Sequence, residues 1–249
     1  TILARMYRNG WLAGDSYRRA CAEPIALHPE GRVFAAAHFV DLVKQQRDVD
    51  ANVQTTLDLP LNRFAHQALC DRLDRLEGKN VSNGAVVIIE NATGNVLALV
   101  GSRDYFDTRI GQVNGAWAPR SAGSTFKPFT YLLALESGRT AASVVADVPA
   151  DFSTATGVFS PFNYDRHFHG PVRLRLALAN SLNVTAVKVL EQVGGAEALQ
   201  KRLQQCGLTT LNARSAHYGL GLTIGNAEAR LVELTNAFAA LGRLGVHRP

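Results

Sequence analysis

Two continuously apolar runs, residues 85–89 and 96–100, constrain the fold of this chain more than any other feature. Each run has the length of a strand, and the six residues between them include the Asn and Gly that are typical of a hairpin loop. Strands without alternating polar residues need apolar cover on both faces. The two runs therefore predict an antiparallel hairpin with helices packed against it.

Helical patterns account for most of the remaining sequence. Asp58 and Pro60 form a typical helix start, and apolar residues at helical spacing continue from there to Leu76. Further helices are predicted at residues 124–136, 172–179, 184–193 and 196–205, and after Asn226. A strand is predicted at residues 49–59, and mostly loop at residues 141–168. The pattern indicates a mixed α/β fold of the α+β type, with an antiparallel sheet flanked by helices and too few strands here to complete it.

The first 30 residues predict two short helices broken at Gly10 and Gly14. Pro24 and the Pro-Glu-Gly sequence at residues 29–31 then predict a loop that can serve as a domain boundary. We therefore expect an appendage at residues 1–30 and one main domain over residues 31–249.

The composition is that of an ordinary globular chain, since 47% of the 249 residues are hydrophobic and 19% are charged. The formal net charge is +5, but no run of five like charges suggests a nucleic-acid arm. The basic excess suits an acidic polymer or an anionic membrane surface without selecting either. No stretch approaches the roughly 20 apolar residues of a membrane-spanning helix, and residues 1–10 lack a secretory signal pattern.

Neither a metal nor an organic cofactor is predicted. The cysteines are widely separated, at Cys21, Cys70 and Cys206. They form neither a zinc motif nor a disulfide framework. His167 and His169 have no third ligand nearby in the sequence. Residues 219–225 read GxGxxxG without a following acidic partner, which indicates a tight glycine turn rather than a nucleotide site.

The spacing of Ser124 and Lys127 suggests a nucleophile and its base. Residues three apart share one face of a helix, and Gly123 and Pro128 place the helix start near Ser124. A helix start favours an oxyanion, and the dipole and burial both lower the pKa of a lysine. A neutral Lys127 could then take the proton from Ser124 as it attacks a carbonyl. A serine cap beside an exposed lysine is the structural alternative.

A second polar pair, Ser181 and Asn183, lies between two predicted helices. One short turn can present a hydroxyl and a carboxamide to a cleft. Ser181 could relay a proton between Lys127 and a leaving amine, and Asn183 could bond a substrate amide and Lys127. By itself this pair is better explained as a cap for the following helix.

Together and in this order, the two motifs resemble those of the active-site serine penicillin-recognising family, which are SxxK, SDN and KTG. The middle motif here is Ser-Leu-Asn, which is similar to that of the bifunctional class A penicillin-binding proteins. Longer segments also look like the transpeptidase domain of this family, at residues 53–61, 85–94, 120–129, 180–187 and 231–238. Residues 163–165 and 168–172 are similar to the penicillin-binding protein 1C subgroup.

The resemblance implies the fold shared by serine β-lactamases and penicillin-binding transpeptidases, with D,D-transpeptidase activity and no cofactor. Ser124 would attack the D-Ala-D-Ala bond of peptidoglycan stem peptides, and β-lactams would acylate the same serine, with Lys127, Ser181 and Asn183 completing the site. Residues 1–30 would be the tail of a glycosyltransferase domain. The parent protein would be membrane-anchored and act at the periplasmic, extracytoplasmic face of the inner membrane.

One departure from the family pattern is the third motif. No basic residue followed by Thr-Gly or Ser-Gly occurs in the sequence, since residues 92–94 and 155–157 are both Ala-Thr-Gly. In the family this strand binds the substrate carboxylate and contributes to the oxyanion hole, and losing one oxyanion donor costs about 100- to 1,000-fold in rate. We therefore expect a domain truncated at its C-terminus, poorly active unless another segment or a second chain supplies the strand.

Two other functions stay open at this point. The first is a D,D-carboxypeptidase or β-lactam hydrolase, although no ExxLN-like signature for activating water follows Ser181. The second is a non-catalytic peptidoglycan-binding or antibiotic-sensing module, which the absent third motif favours. The four intact residues of the first two motifs argue against a dead site.

Overall fold

The computed structural model describes residues 2–23, 35–46, 52–154 and 157–248. The chain divides into two compact units, residues 1–34 and 35–249. In the first unit, helices α1 (Ile2–Arg8) and α2 (Gly14–Ala22) form where the sequence predicts two short helices. The turn between them passes through Gly10, whose φ is 73°. The predicted boundary at residue 30 lies outside the described residues.

In its described residues, the second unit contains eight further helices and eight short strands. The helices are α3 (Ala37–Gln46), α4 (Leu59–Asp74), α5 (Lys127–Glu136), α6 (Leu174–Ala179), α7 (Asn183–Gln192), α8 (Gly195–Gln205), α9 (Ser215–Tyr218) and α10 (Leu231–Gly242). The strands are β1 (Val86–Ile89), β2 (Val96–Val100), β3 (Arg120–Ser121), β4 (Val144–Asp147), β5 (Phe152–Thr154), β6 (Gly157–Phe159), β7 (Gly170–Arg173) and β8 (Glu228–Ala229). The described strands pair two by two, and every pair is antiparallel.

The predicted hairpin is confirmed by β1 and β2. Val86 pairs with Val100 and Ile88 with Ala98, so these four side chains lie on one face of the ribbon. Helix α4 packs on that face, where its Ala65 is buried against Ala98 and Val100. Helix α10 also contacts β1. The apolar strands are therefore covered by helices, as their composition requires.

Helix α4 begins where the sequence predicts, but the strand expected before it at residues 49–59 does not form in the part that the structure describes. The Asp58 carboxylate accepts the N–H of Leu61 at 2.9 Å and caps the helix. Of the expected strand, residues 52–59 are described; residues 52–58 form no strand, and Leu59 begins α4. At the edge of β2, the Asp58 N–H lies 2.9 Å from Leu97 O and Thr56 Oγ1 lies 2.8 Å from Val96 O. Two isolated bonds do not make the continuous ladder of a strand.

Three strands occupy the region predicted to be mostly loop. Strand β4 pairs with β7 from Val144 opposite Arg173 to Asp147 opposite Gly170, and β5 pairs with β6. Asp147 is fully buried on the inner face of β4. A carboxylate at that position breaks the apolar alternation by which a strand is recognised. Because β7 uses residues 170–173, α6 begins two residues later than predicted.

The main core forms around α5, α7 and α8, close to the positions predicted for these helices. Its fully buried side chains include Phe126, Phe129, Leu190, Leu199, Leu203, Leu208, Leu211 and Leu222. This core holds the starts of α5 and α7 next to each other, which positions the candidate site.

Among the described residues, no helix combines the length and apolar character that crossing a membrane requires.

Candidate active site

Ser124 lies in a short 3₁₀ turn, Gly123–Phe126, that leads directly into α5. The α-helix therefore begins at Lys127, three residues later than predicted. Gly123 enters the turn with a φ of 54°, which favours glycine, and the Lys127 N–H closes it by donating to the Ser124 carbonyl. Phe126 is fully buried while Ser124 is exposed. The buried Phe126 side chain thus fixes the turn to the core, and Ser124 lies at the surface.

The side chain of Lys127 is buried, with an exposed fraction of 1%. Burial lowers its pKa from 10.5 to about 8, because a charged amine loses hydration there. Its Nζ donates to Ser181 O at 2.5 Å, to Ser181 Oγ at 3.0 Å and to Asn183 Oδ1 at 2.6 Å. These three bonds use every N–H of an ammonium group. The lysine is therefore held by the second motif, and Ser124 is not among its hydrogen-bond partners.

Ser181 reverses the chain between α6 and α7 with a φ of 52°, a left-handed conformation that residues other than glycine seldom adopt. Its N–H donates to Leu178 O and the N–H of Leu182 donates to Ala177 O, both at 3.0 Å. Leu182 is 7% exposed and packs in a cluster with Tyr131. Such a backbone conformation costs about 1–3 kcal/mol. Burial of Leu182 helps hold it, and the Ser181 carbonyl and hydroxyl both reach Lys127 as a result.

The carboxamide of Asn183 has one orientation that fits its neighbours. Its Nδ2 donates to Phe162 O at 2.8 Å, while its Oδ1 accepts from Lys127. A flipped amide would bring two donors together and two acceptors together. The backbone N–H groups of Asn183 and Val184 donate to Asn163 Oδ1 at 2.8 and 3.3 Å. Sequence reasoning missed Asn163, whose one signal was its place in a segment that resembles the 1C subgroup.

The glycine-rich segment at residues 219–225 packs against the serine turn. Gly219–Ile224 forms a 3₁₀ helix, and Gly225 follows with a φ of 88°. A Cβ atom on Gly225 would lie 2.2 Å from both the N and the O of Gly123, where no atom fits. Ser121 Oγ also donates to Gly225 O at 2.9 Å. The interpretation of a tight glycine turn agrees with this geometry, but its contact with the serine turn had no signal in the sequence.

The two histidines considered as metal ligands contact carboxylate and carbonyl oxygens. His169 Nδ1 lies 2.8 Å from Asp147 Oδ2, and its Nε2 lies 3.1 Å from Asp165 Oδ2. His167 Nδ1 lies 2.6 Å from Asp165 O. Within the described ranges, no group of three or more His, Cys, Asp or Glu side chains is arranged to hold a metal ion.

The sequence model of the penicillin-binding protein transpeptidase domain matches residues 84–239 of the chain. Penicillin-binding protein 1C of Escherichia coli strain K12 is 33% identical over 246 residues, which cover 98% of this chain and 31% of the relative. Penicillin-binding protein 2D of Bacillus subtilis strain 168 is 33% identical over 264 residues, covering 98% of this chain and 37% of the relative. The chain thus spans about a third of the length of these two proteins.

Solved structures share the fold. Penicillin-binding protein 1A from Haemophilus influenzae superposes with a TM-score of 0.72 at 20% sequence identity, over 96% of this chain and 51% of that chain. The PonA1 protein from Mycobacterium tuberculosis in complex with penicillin V superposes with a TM-score of 0.68 at 24% identity, over 86% of this chain and 58% of that chain. The predicted fold class, helices with antiparallel strands in the arrangement of these proteins, is confirmed.

Proposed function

Because the chain belongs to the penicillin-binding protein transpeptidase family, we propose that it cross-links peptidoglycan as a serine D,D-transpeptidase. Ser124 is the nucleophile and Lys127 the base. Ser181 and Asn183 hold that base, and the Ser181 hydroxyl relays a proton. The observation that carries the proposal is the buried Lys127 amine in contact with both other residues. With a pKa of about 8, a fraction of the molecules holds the free amine at neutral pH.

Acylation begins when Ser124 Oγ attacks the carbonyl carbon of the D-Ala-D-Ala bond and its proton passes to the neutral Lys127 amine. A tetrahedral oxyanion forms, and the start of a helix favours such a negative charge. The C–N bond then breaks. The proton on Lys127 moves through the Ser181 hydroxyl to the leaving amine, and D-Ala departs with Ser124 esterified.

The hydrogen bonds of Lys127 change with its charge. An ammonium donates to all three acceptors, but a neutral amine has two N–H groups and one lone pair. The two shorter bonds, to Ser181 O and Asn183 Oδ1, have acceptors that cannot donate in return. A neutral amine therefore gives up one contact, and the longest is the 3.0 Å contact with the Ser181 hydroxyl, so the lone pair is left free for the Ser124 proton. Once Lys127 is protonated again it donates to this hydroxyl, which can both accept and donate and so relays a proton to the leaving amine.

Deacylation repeats these steps with a second stem peptide. Its amine attacks the ester carbonyl and gives a proton to Lys127, and the Ser124 oxygen recovers a proton as the ester bond breaks.

The substrate carboxylate requires a basic-Thr-Gly strand, which this sequence does not contain. We propose that another segment or a second chain supplies it, and that the reaction takes place outside the cytoplasmic membrane, where peptidoglycan lies.

Labelling with a fluorescent penicillin tests the assignment of Ser124 in the full-length protein. The proposal expects a covalent label that survives denaturation and is absent from the Ser124→Ala variant. Thr125→Ala is the matched control, because Thr125 is also an exposed hydroxyl in the same turn but donates to Ala122 O at 2.6 Å. Equal labelling of the Ser124→Ala variant would overturn the proposal, as would loss of the label only in Thr125→Ala.

The lifetime of the label separates transfer from hydrolysis. A transpeptidase keeps its penicilloyl ester for many turnover times, whereas a β-lactam hydrolase releases it and labels only transiently. A non-catalytic sensing module would acylate but form no cross-linked product from stem peptides. Measuring cross-linked and hydrolysed products of one stem-peptide substrate therefore decides among the three functions.

A further inference from the structure

A chain of buried polar groups continues from the candidate site into the interior. Behind Asn183 lies Asn163, with 3% of its surface exposed, and behind Asn163 lies Asp147, with none exposed. Asp147 ends strand β4, Asn163 lies in the connection before β7, and Asn183 begins α7. Three separate segments thus meet through side-chain hydrogen bonds.

The orientation of the Asn163 amide is fixed on both sides. Its Nδ2 donates to Asp147 Oδ1 at 3.1 Å, to Asp147 Oδ2 at 2.8 Å and to His167 O at 2.8 Å. Its Oδ1 accepts the backbone N–H groups of Asn183 and Val184. A flipped amide would set its oxygen against a carboxylate and a carbonyl, and its NH2 against two N–H groups. The Asn163 amide thus serves both neighbours, as a donor to Asp147 and as an acceptor for the start of α7.

Asn163 takes the place of the missing helix cap of α7. Leu182 precedes the helix and has no side chain that can cap it. The first two N–H groups of a helix otherwise lack partners, and here they belong to the half-buried Asn183 and the buried Val184. Asn163 satisfies them from 20 residues earlier in the sequence. The position of Asn183, and hence of its Oδ1 at Lys127, depends on Asn163.

The Asp147 carboxylate holds Asn163 in turn. Besides the Asn163 amide, its Oδ2 accepts the backbone N–H of His169 at 2.9 Å and lies 2.8 Å from His169 Nδ1. This partnership raises the pKa of His169, whose Nε2 also faces Asp165. Lys188 lies alongside and donates to the carbonyls of Ala146 and Val148 on either side of Asp147. The buried carboxyl group is therefore surrounded by hydrogen-bond donors, as burial requires.

From these contacts we infer that Asn163 and Asp147 are positioning residues for acylation, because together they fix the start of α7 so that Asn183 and Ser181 hold Lys127. Neither residue touches the nucleophile or the amine, so each acts through Asn183. The inference rests on the proposed function of the site. It predicts that acylation is fast only when an amide and a carboxylate pair at positions 163 and 147, and slow when two carboxylates face each other there.

Exchanging the two groups tests the match. We compare Asn163→Asp, Asp147→Asn and the double variant in the full-length protein, measuring the rate constant of acylation by a fluorescent penicillin and the thermal unfolding midpoint. Asn163→Asp sets a second carboxylate 2.8 Å from the first and is expected to lower the rate constant more than about tenfold. The double variant restores one amide and one carboxylate, and is expected to recover about tenfold over Asn163→Asp.

Asn180→Asp is the matched control. Asn180 lies next to Ser181 in the connection between α6 and α7, is exposed, and its Nδ2 donates to Leu176 O at 2.9 Å. This variant adds the same charge near the turn without touching Asp147, and is expected to stay within about twofold of the unsubstituted rate. A loss as large as that of Asn163→Asp would show that added charge alone explains the effect, and would overturn the inference.

Equal rates for Asn163→Asp and the unsubstituted protein contradict the inference, as does a folded double variant no faster than Asn163→Asp. If Asn163→Asp does not fold, a folded double variant supports the inference when it acylates within about thirtyfold of the unsubstituted protein, and contradicts it when it does not acylate. The Ser124→Ala comparison tests the proposed function separately, because it asks only whether that serine is acylated.

Discussion

The Nζ of Lys127 lies 2.6 Å from the Oδ1 of Asn183, so the first turn of α5 meets the first turn of α7 through one hydrogen bond. The two residues are 56 positions apart in the sequence. The bond is charge-assisted, and it is not screened by water because Lys127 is buried. The base is therefore held in place before a substrate arrives.

Acylation should depend on pH through Lys127. Only the neutral amine accepts the Ser124 proton, and burial sets its pKa at about 8. Below pH 8 the active fraction falls, so the acylation rate constant should drop about tenfold per pH unit and level off above pH 8. Stopped-time labelling from pH 6 to pH 9.5 measures this limb. A rate that does not change across this range would contradict the role of Lys127.

An acidic residue at position 183 should move this limb to higher pH. In Asn183→Asp a carboxylate faces the amine at hydrogen-bond distance, and such a neighbour favours the charged lysine by about 1–3 pKa units. The midpoint of the acylation profile should shift above pH 9. In Asn183→Ala the rate should fall without this alkaline shift, because a hydrogen bond is lost and no charge is added. An unchanged midpoint in Asn183→Asp would mean that Lys127 does not set the profile.

Gly225 should matter more to activity than other glycines with positive φ. Gly225→Ala places a Cβ 2.2 Å from the backbone of Gly123, immediately before Ser124, and should lower acylation more than about tenfold. Gly138→Ala is the control, since Gly138 has a similar φ of 90° but open space around it. Both variants should lose about 1–3 kcal/mol of stability from backbone strain. Equal acylation by the two variants would show that contact with Gly123 is unimportant.

Leu182 should stabilise the protein although it lies inside the second motif. It is 7% exposed, so Leu182→Ala should lower the free energy of unfolding by about 2–5 kcal/mol. Leu176→Ala on neighbouring α6 removes a side chain that is 50% exposed and should cost about 0.5 kcal/mol. Urea denaturation measures both values. Similar losses would mean that the Ser181 turn is not held by the burial of Leu182.

The sequence predicted those parts of the fold whose signals are local. The hairpin of β1 and β2, the Asp58 cap and most helices follow from apolar spacing and capping residues within a few positions. Strand β4 was missed because Asp147 stands on its buried face, and the predicted strand at residues 49–59 is wrong where it is described. Alternation of side chains indicates a strand only when a partner strand is available to it.

The residues of the candidate site could be predicted where they lie within one short motif, three or two positions apart. The geometry brings Lys127, Ser181 and Asn183 into contact and puts Ser124 one turn before Lys127. The catalytic role of each residue stays a prediction. Asn163 was not predicted as part of the site, because its function depends on a partner 20 residues away and on the burial of Asp147. Contacts of this kind depend on tertiary structure and leave no periodic pattern.

The most direct test of the central claim is to locate the adduct itself. Full-length protein is treated with penicillin, digested, and its peptides are sequenced by mass spectrometry. The account predicts one added penicilloyl group, carried by Ser124 and absent from the Ser124→Ala variant. An adduct on another residue, or one that persists at full yield in that variant, would contradict it.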